Sequence, residues 1–217
     1  MAEKTMNKKG LIFVFIGVLC IAAALALFIH NSAETRNASE VSARITGKFR
    51  TQVEADRQNS DNTLPTDNPD RKMPAIKIEE KRYTGILEIP SMGIELPVAE
   101  SFSYAALQQT PCIYSGSVYR DNLVIAAHNY DAHFGRLSSL GFDNEVIFTD
   151  AEDNRYYFRT VNIETLNPYQ QTDLVEKQNK NDWDMTLFTC NYSGSQRIVV
   201  RCRRVRSTSS GEVKNAY

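Results

Sequence analysis

Thr186-Leu187-Phe188-Thr189-Cys190 ends an apolar run that starts at Asp184, and after a short polar interval Arg197-Ile198-Val199-Val200-Arg201-Cys202 follows. Both stretches are short, rich in β-branched and aromatic residues, and bounded by Asn, Asp, Ser and Gly, which is the pattern of strands. Working outward, the same pattern recurs at 85–89, 94–99, 122–126, 145–149 and 155–165. With 184–190 and 197–205 this makes seven candidate strands, most too closely spaced for helical crossovers. The expectation is a mostly antiparallel barrel. The acidic turn 150–154 reads as a β-hairpin connection, a short helix is expected over 104–109 ahead of Pro111, and 170–182 reads as a polar loop carrying one helical turn.

The chain before about Tyr83 is organised differently. Residues 11–29 are 19 consecutive residues without a charge, enough to cross a hydrocarbon core of about 30 Å at about 1.5 Å per residue. The run is longer than the apolar region of a cleaved leader and continues past Ala22-Ala23-Ala24, so it reads as a retained anchor. Lys4, Lys8 and Lys9 in front of it predict a cytoplasmic N-terminus with the remainder outside the membrane. Beyond it, Val41, Ile45, Phe49 and Val53 recur at four-residue spacing and predict a helix over about 33–58 with a narrow apolar stripe. Residues 59–74, with Pro65, Pro69 and Pro74, read as a linker. The resulting divisions are 1–10 cytoplasmic, 11–29 membrane-spanning, 30–82 helical segment and linker, 83–206 the sheet-rich domain, and 207–217 a polar tail.

Charge and cysteine usage narrow the function classes. The 217 residues carry a formal charge of -1, with no basic bias toward nucleic acid. Cys20 lies in the apolar span, leaving Cys112, Cys190 and Cys202. An odd number outside the membrane leaves at least one thiol out of any internal disulfide; Cys112 and Cys202 could be bridged or could both be buried thiols.

A reactive thiol needs a base or cation that makes thiolate accessible, and its acyl intermediate needs donors aimed at the oxyanion. Of three histidines, His30 falls at the membrane boundary, leaving His128 and His133. His128 directly follows the apolar strand Leu123-Val124-Ile125-Ala126-Ala127, a rigid position from which a ring can enter a cleft, whereas His133 lies in a more polar stretch. The two are five apart, without the i,i+4 facing of a helical zinc pair. Taken singly, a cysteine is most often a small buried hydrophobe and a histidine a satisfied bystander.

The combination is more specific. Thr186-Leu187-Phe188-Thr189-Cys190 resembles the sortase signature Thr-Leu-x-Thr-Cys, with Arg197 seven positions downstream, His128 in Val124-Ile125-Ala126-Ala127-His128-Asn129, and Tyr83-Thr84-Gly85-Ile86-Leu87-Glu88-Ile89-Pro90 similar to the family's opening strand. The resemblance covers about 83–204. It implies a mostly β fold, a closed eight-stranded sortase-type β-barrel with short helices, preceded here by an N-terminal transmembrane helix. It implies a cysteine transpeptidase in which Cys190 attacks a Leu-Pro-x-Thr-Gly-like C-terminal sorting signal, His128 moves the proton, and Arg197 stabilises the oxyanion or holds the substrate backbone. Thr189, beside the nucleophile, is the candidate substrate contact. The implied partners are exported proteins bearing a sorting signal and an amine acceptor of the cell wall, such as a peptidoglycan amine, with no nucleic acid and no metal or organic cofactor. Ala127 departs from the glycine common in the family. Arg201 shares strand parity with Arg197 and rivals it. The helical extension and Thr110-Pro111-Cys112-Ile113-Tyr114-Ser115 look nearest to class B, and the lack of a second apolar span after Val205 is unlike the pilin polymerases.

Two other readings use the same residues: a cysteine peptidase releasing its acyl group to water, and a catalytically silent membrane-tethered binding module in which Cys190 is core. The reversed order of His and Cys separates the chain from papain-like enzymes.

Overall fold

The computed structural model describes residues 8–59, 68–179 and 182–206. The tail after 206 and residues 60–67 of the 59–74 linker expected from sequence lie outside the described residues. The chain divides into two compact units, Met1–Asn37 and Ala38–Tyr217. Helix α1 (Lys8–Asn59) supplies the described part of the first unit and the opening of the second.

In the first unit every side chain of the apolar stretch 11–29 is exposed. The helix is long and apolar enough to cross a membrane, with a window of mean hydropathy 3.1.

The second unit is a barrel. Its strands are β1 (Ile76–Ile78), β2 (Lys81–Ile89), β3 (Ile94–Ala99), β4 (Cys112–Ser115), β5 (Leu123–Ala126), β6 (Glu145–Asp150), β7 (Arg155–Leu166), β8 (Met185–Cys190) and β9 (Arg197–Arg204). Two short helices, α2 (Tyr104–Leu107) and α3 (Gln171–Val175), sit where the sequence predicts them. The sheet runs β1-β2-β3-β4-β5-β8-β9-β7-β6 and closes through β2–β6 pairing, so eight strands, β2 to β9, complete the barrel. Closure leaves few unpaired strand edges.

Three features differ from the sequence expectation. β4 pairs with β3 through a single parallel register pair, Ala99↔Cys112, and so short a strand between Pro111 and Gly116 has no readable alternation. β1 lies just after the 59–74 linker, where no strand is expected; it extends the β6 edge along β2, where Ile76 faces Tyr83, and Met73, inside the linker, is already core. The barrel is also mixed, because β5 and β8 run parallel, with Val124↔Thr186 and Ala126↔Phe188 in register.

Strand alternation produces two apolar layers. Leu123, Ile125, Met185, Leu187, Val200 and Cys202 point into the barrel. Val124, Ala126, Phe188 and Val199 point outward, where Leu166, Leu174 and Trp183 cover them. Turns fix the register. Gly116 has φ +77, and a Cβ there would stand 1.9 Å from the Asn122 carbonyl oxygen, so only glycine fits. At the β6–β7 turn the fully buried Asp150 carboxylate accepts hydrogen bonds from the backbone N–H of Glu152 and Asn154 and from the hydroxyls of Tyr119 and Tyr156.

The four-residue stripe on α1 packs on the barrel. Ile45, Phe49 and Val53 are buried against Ile78, Tyr83, Ile86 and Ala151, with Val41 partly buried at the edge. This part of the helix is therefore integral to the catalytic unit. Phe49, 1% exposed, fills a closed space, so Phe49→Ala should cost about 3–5 kcal/mol, read as a lower midpoint with unchanged slope in denaturant unfolding.

Candidate active site

β8 ends at Cys190 and β9 begins at Arg197, and the two residues are register partners across the antiparallel pair. Directly opposed side chains share a face with Cβ atoms about 4.5–5.5 Å apart. The shared face is the outer one, since Arg197 alternates with the inward Ile198 and Val200, and Cys190 with the inward Leu187 by parity.

His128 arrives from the other side of β8. The β5–β8 ladder ends at Ala126↔Phe188, and the Ala127 N–H still donates to the Phe188 carbonyl at 3.1 Å. His128 follows two residues after Ala126, and Cys190 two residues after Phe188, so both leave the ladder at the same rim. The Asn129 amide also donates to the Asn191 carbonyl at 3.4 Å, tying together the loops that leave these strands. Two adjacent strand ends thus bring Cys190 and Arg197 to one outer row, with His128 two residues past the end of β5 at the same rim. Phe188, two residues before Cys190 on the same face, contacts Tyr114 edge-on at 5.1 Å, and Tyr114 contacts Phe102 at 5.4 Å, forming an aromatic flank.

The remaining candidates separate. Thr189 does not share that face: alternation turns it opposite to Cys190, 3% exposed, with its hydroxyl buried and without a hydrogen-bond partner among the described residues. Arg201 is committed elsewhere. Its guanidinium donates to the Glu164 carboxylate at 2.8 Å, to Thr186 Oγ1 at 2.8 Å, to the Leu174 carbonyl at 3.1 Å and to the Asp173 carbonyl, and lies 5.0 Å from the Trp183 ring centroid. It pins α3 to β8 and β9. Among the described residues, Arg197 makes long bonds from Nη1 to the Gly194 and Gln196 carbonyls at 3.3 and 3.4 Å, both within its own turn.

The other thiols are free and buried in separate cores, Cys112 beneath α1 and Cys202 inside the barrel. Burial pushes the Cys112 thiol up to about 11 and raises Cys202 further. Cys190 is partly exposed. Among the described residues no group of three or more His, Cys, Asp or Glu is placed to hold a metal ion.

His133 is fully buried rather than in a polar loop at the surface. Its Nε2 lies 3.3 Å from Ser42 Oγ on α1, and Tyr130 intervenes between the two histidines, stacked on His128 at 4.0 Å and tilted to His133 at 5.8 Å. Sequence reasoning missed Ser42 and Tyr130; the one available signal for Tyr130 was an aromatic residue between two histidines.

Two expectations follow. In the folded chain a thiol reagent should modify Cys190 long before Cys112 or Cys202, which react only on unfolding; peptide mapping by mass spectrometry reads the order. Burial, with the neighbouring His128 adding to it, lowers His133 from 6.5 to about 4. The unfolded chain therefore binds one more proton than the folded chain between those values. The stabilising contribution is whole above about pH 6.5 and is lost as pH falls toward about 4, by at most about 1.4 kcal/mol per pH unit. Urea unfolding across that range should show a slope that His133→Gln reduces.

Comparison with known proteins agrees with this geometry. The sortase domain model matches residues 87–205. No curated protein sequence matches the chain. Among solved structures, sortase D5 transpeptidase from Clostridium perfringens is similar at TM-score 0.54 and 16% identity, over 79% of this chain and 99% of that one. Sortase C from Streptococcus pneumoniae is similar at 0.53 and 19% identity, over 82% and 90%. The lid mutant of sortase A from Corynebacterium diphtheriae is similar at 0.52 and 20% identity, over 76% and 97%. The three represent different classes at nearly equal similarity, so the shared barrel carries no subclass. A family model covering more than half of the chain, laid over a barrel closed in the same way, makes this protein a member of the sortase family of cysteine transpeptidases.

Proposed function

We propose that the chain is a membrane-anchored transpeptidase that cleaves a Leu-Pro-x-Thr-Gly-like sorting signal of exported proteins and joins the acyl fragment to an amine of the cell wall. What supports this reading is the register pairing of Cys190 with Arg197 and the parallel β5–β8 pair, after which His128 leaves β5 at the same rim.

The Cys190 thiolate attacks the carbonyl carbon of the scissile peptide bond. The oxyanion that forms accepts hydrogen bonds from Arg197, whose Cα stands opposite that of the nucleophile across one strand spacing. Collapse of the intermediate breaks the C–N bond, and His128, as imidazolium, gives its proton to the departing amine. The thioacyl group left on Cys190 is attacked by the acceptor amine, His128 takes a proton from it, and a new amide forms as the thiolate leaves. The proton count closes over the cycle. Arg201 ties α3 to the sheet without entering the chemistry.

The apolar stretch 11–29 is the anchor. Lys4, Lys8 and Lys9 place the N-terminus in the cytoplasm and the barrel outside, where exported substrates emerge. The catalytic domain spans about Tyr83 to Arg206, with the buried stripe of α1 packed on it.

The test is incubation of the full chain in micelles with Leu-Pro-x-Thr-Gly peptides and a panel of amines, followed by mass spectrometry. Amide exchange and a trapped thioacyl adduct on Cys190 are expected, and water as the sole acceptor would identify a peptidase instead. Cys190→Ala should abolish the adduct and Cys112→Ala should retain it. Arg197→Ala should lower kcat by about 10²–10³ without lowering the unfolding midpoint, whereas Arg201→Ala should act mainly on stability.

A further inference from the structure

The mechanism uses His128 but leaves unexplained a second histidine buried beside it. His133 has no exposed surface, and its Nδ1 has no hydrogen-bond partner among the described residues. Burying an imidazole with one nitrogen unsatisfied is costly, so the other nitrogen's partner must matter. Ser42 Oγ, on the helix ahead of the barrel, lies 3.3 Å from Nε2, and the Gln109 backbone also bonds the ring. The Ser42 hydroxyl donates to the Gln109 carbonyl at 3.2 Å, so its oxygen is left to accept, which makes His133 Nε2 the protonated nitrogen.

Ser42 is 2% exposed and lies one turn before Ile45, on the same stripe of α1 that packs against the barrel. From His133 the contact continues through Tyr130 to His128, whose ring stacks on Tyr130 with an interplanar angle of 16°. Backbone bonds keep this loop tight: the Phe134 N–H donates to the His128 carbonyl at 3.1 Å, and the N–H groups of His133 and Gly135 to the Tyr130 carbonyl at 2.9 and 2.8 Å. A shift of His133 cannot be absorbed by slack in the loop.

We propose that Ser42, His133 and Tyr130 are positioning residues for His128, through which the helix preceding the barrel sets the geometry of the catalytic pair. The inference rests on the reading of His128 as the proton carrier. Docking of α1 makes the hydrogen bond to His133, His133 holds Tyr130, and the Tyr130 ring holds the His128 imidazole at the rim that carries Cys190. Loss of the Ser42 contact lets the His128 ring turn away.

The experiment uses the full chain in micelles, with iodoacetamide as a substrate-independent probe of Cys190 and a Leu-Pro-x-Thr-Gly peptide as the turnover probe. Ser42→Ala and His133→Leu are expected to displace the inflection of the pH–rate profile of Cys190 alkylation by roughly half a pH unit or more. They should also lower kcat roughly five-fold or more with little change in KM, since the loss is of proton transfer and not of binding. His133→Gln, which retains a donor near Nε2, should recover most of that loss, and Tyr130→Leu should reproduce it. Profiles for Ser42→Ala and His133→Leu that superimpose on the parent, with α1 amides still protected from exchange, would overturn the proposal. Should His133→Leu fail to fold, Ser42→Ala decides alone. A shifted alkylation profile in a chain that turns over no peptide supports the positioning and removes the transpeptidase reading; normal turnover with unshifted profiles removes the positioning alone.

Discussion

The parallel pairing of β5 with β8 is the constraint on which the site depends. A parallel pair brings like ends of two strands together, so the residues that follow β5 and those that end β8 emerge at the same rim. The antiparallel neighbour β9 then starts where β8 stops and lays Arg197 opposite Cys190. Had β5 and β8 met antiparallel, His128 would leave at the opposite end of the barrel. Closure through β2–β6 locks the register, because a slip of one residue would turn every inward side chain outward.

Around that rim, the charges divide by role through burial and partners. Arg201 and Arg197 sit four residues apart on the same face, yet Arg201 is absorbed by Glu164, Thr186 and two carbonyls of α3, and among the described residues Arg197 meets carbonyls of its own turn. A buried guanidinium must be satisfied in place, and moving it would leave those acceptors unpaired. The two residues look alike along the chain and differ only in what the fold sets beside them. The histidines divide in the same way: one ends at the rim, the other is sealed beneath a helix.

The helix itself joins two physical regimes. Its first part is uniformly apolar and exposed, its later part carries a stripe that is buried by the barrel. Ala38, Ser42, Ile45, Thr46, Phe49 and Val53 are the buried positions of that stripe. Two of these are hydroxyl residues, which hydropathy spacing passes over.

Much of this was legible in the residues alone. The β-branched runs that alternate toward a core announced seven strands, the signature around Cys190 with His128 and Arg197 in order announced the family, and an uncharged run of 19 residues announced a helix able to cross a membrane. These signals are local: each depends on a side chain's own preference or on spacing along one segment. What only the tertiary structure decided is non-local. β1 and β4 are too short to alternate and exist because β2 and β5 supply their hydrogen bonds. The inward turn of Thr189, the choice between two arginines, the two separate burial sites of Cys112 and Cys202, and the contact of Ser42 with His133 across 91 residues all depend on which strands and helices pack together. No local preference encodes that choice, because it is the closure of the barrel that selects the neighbours.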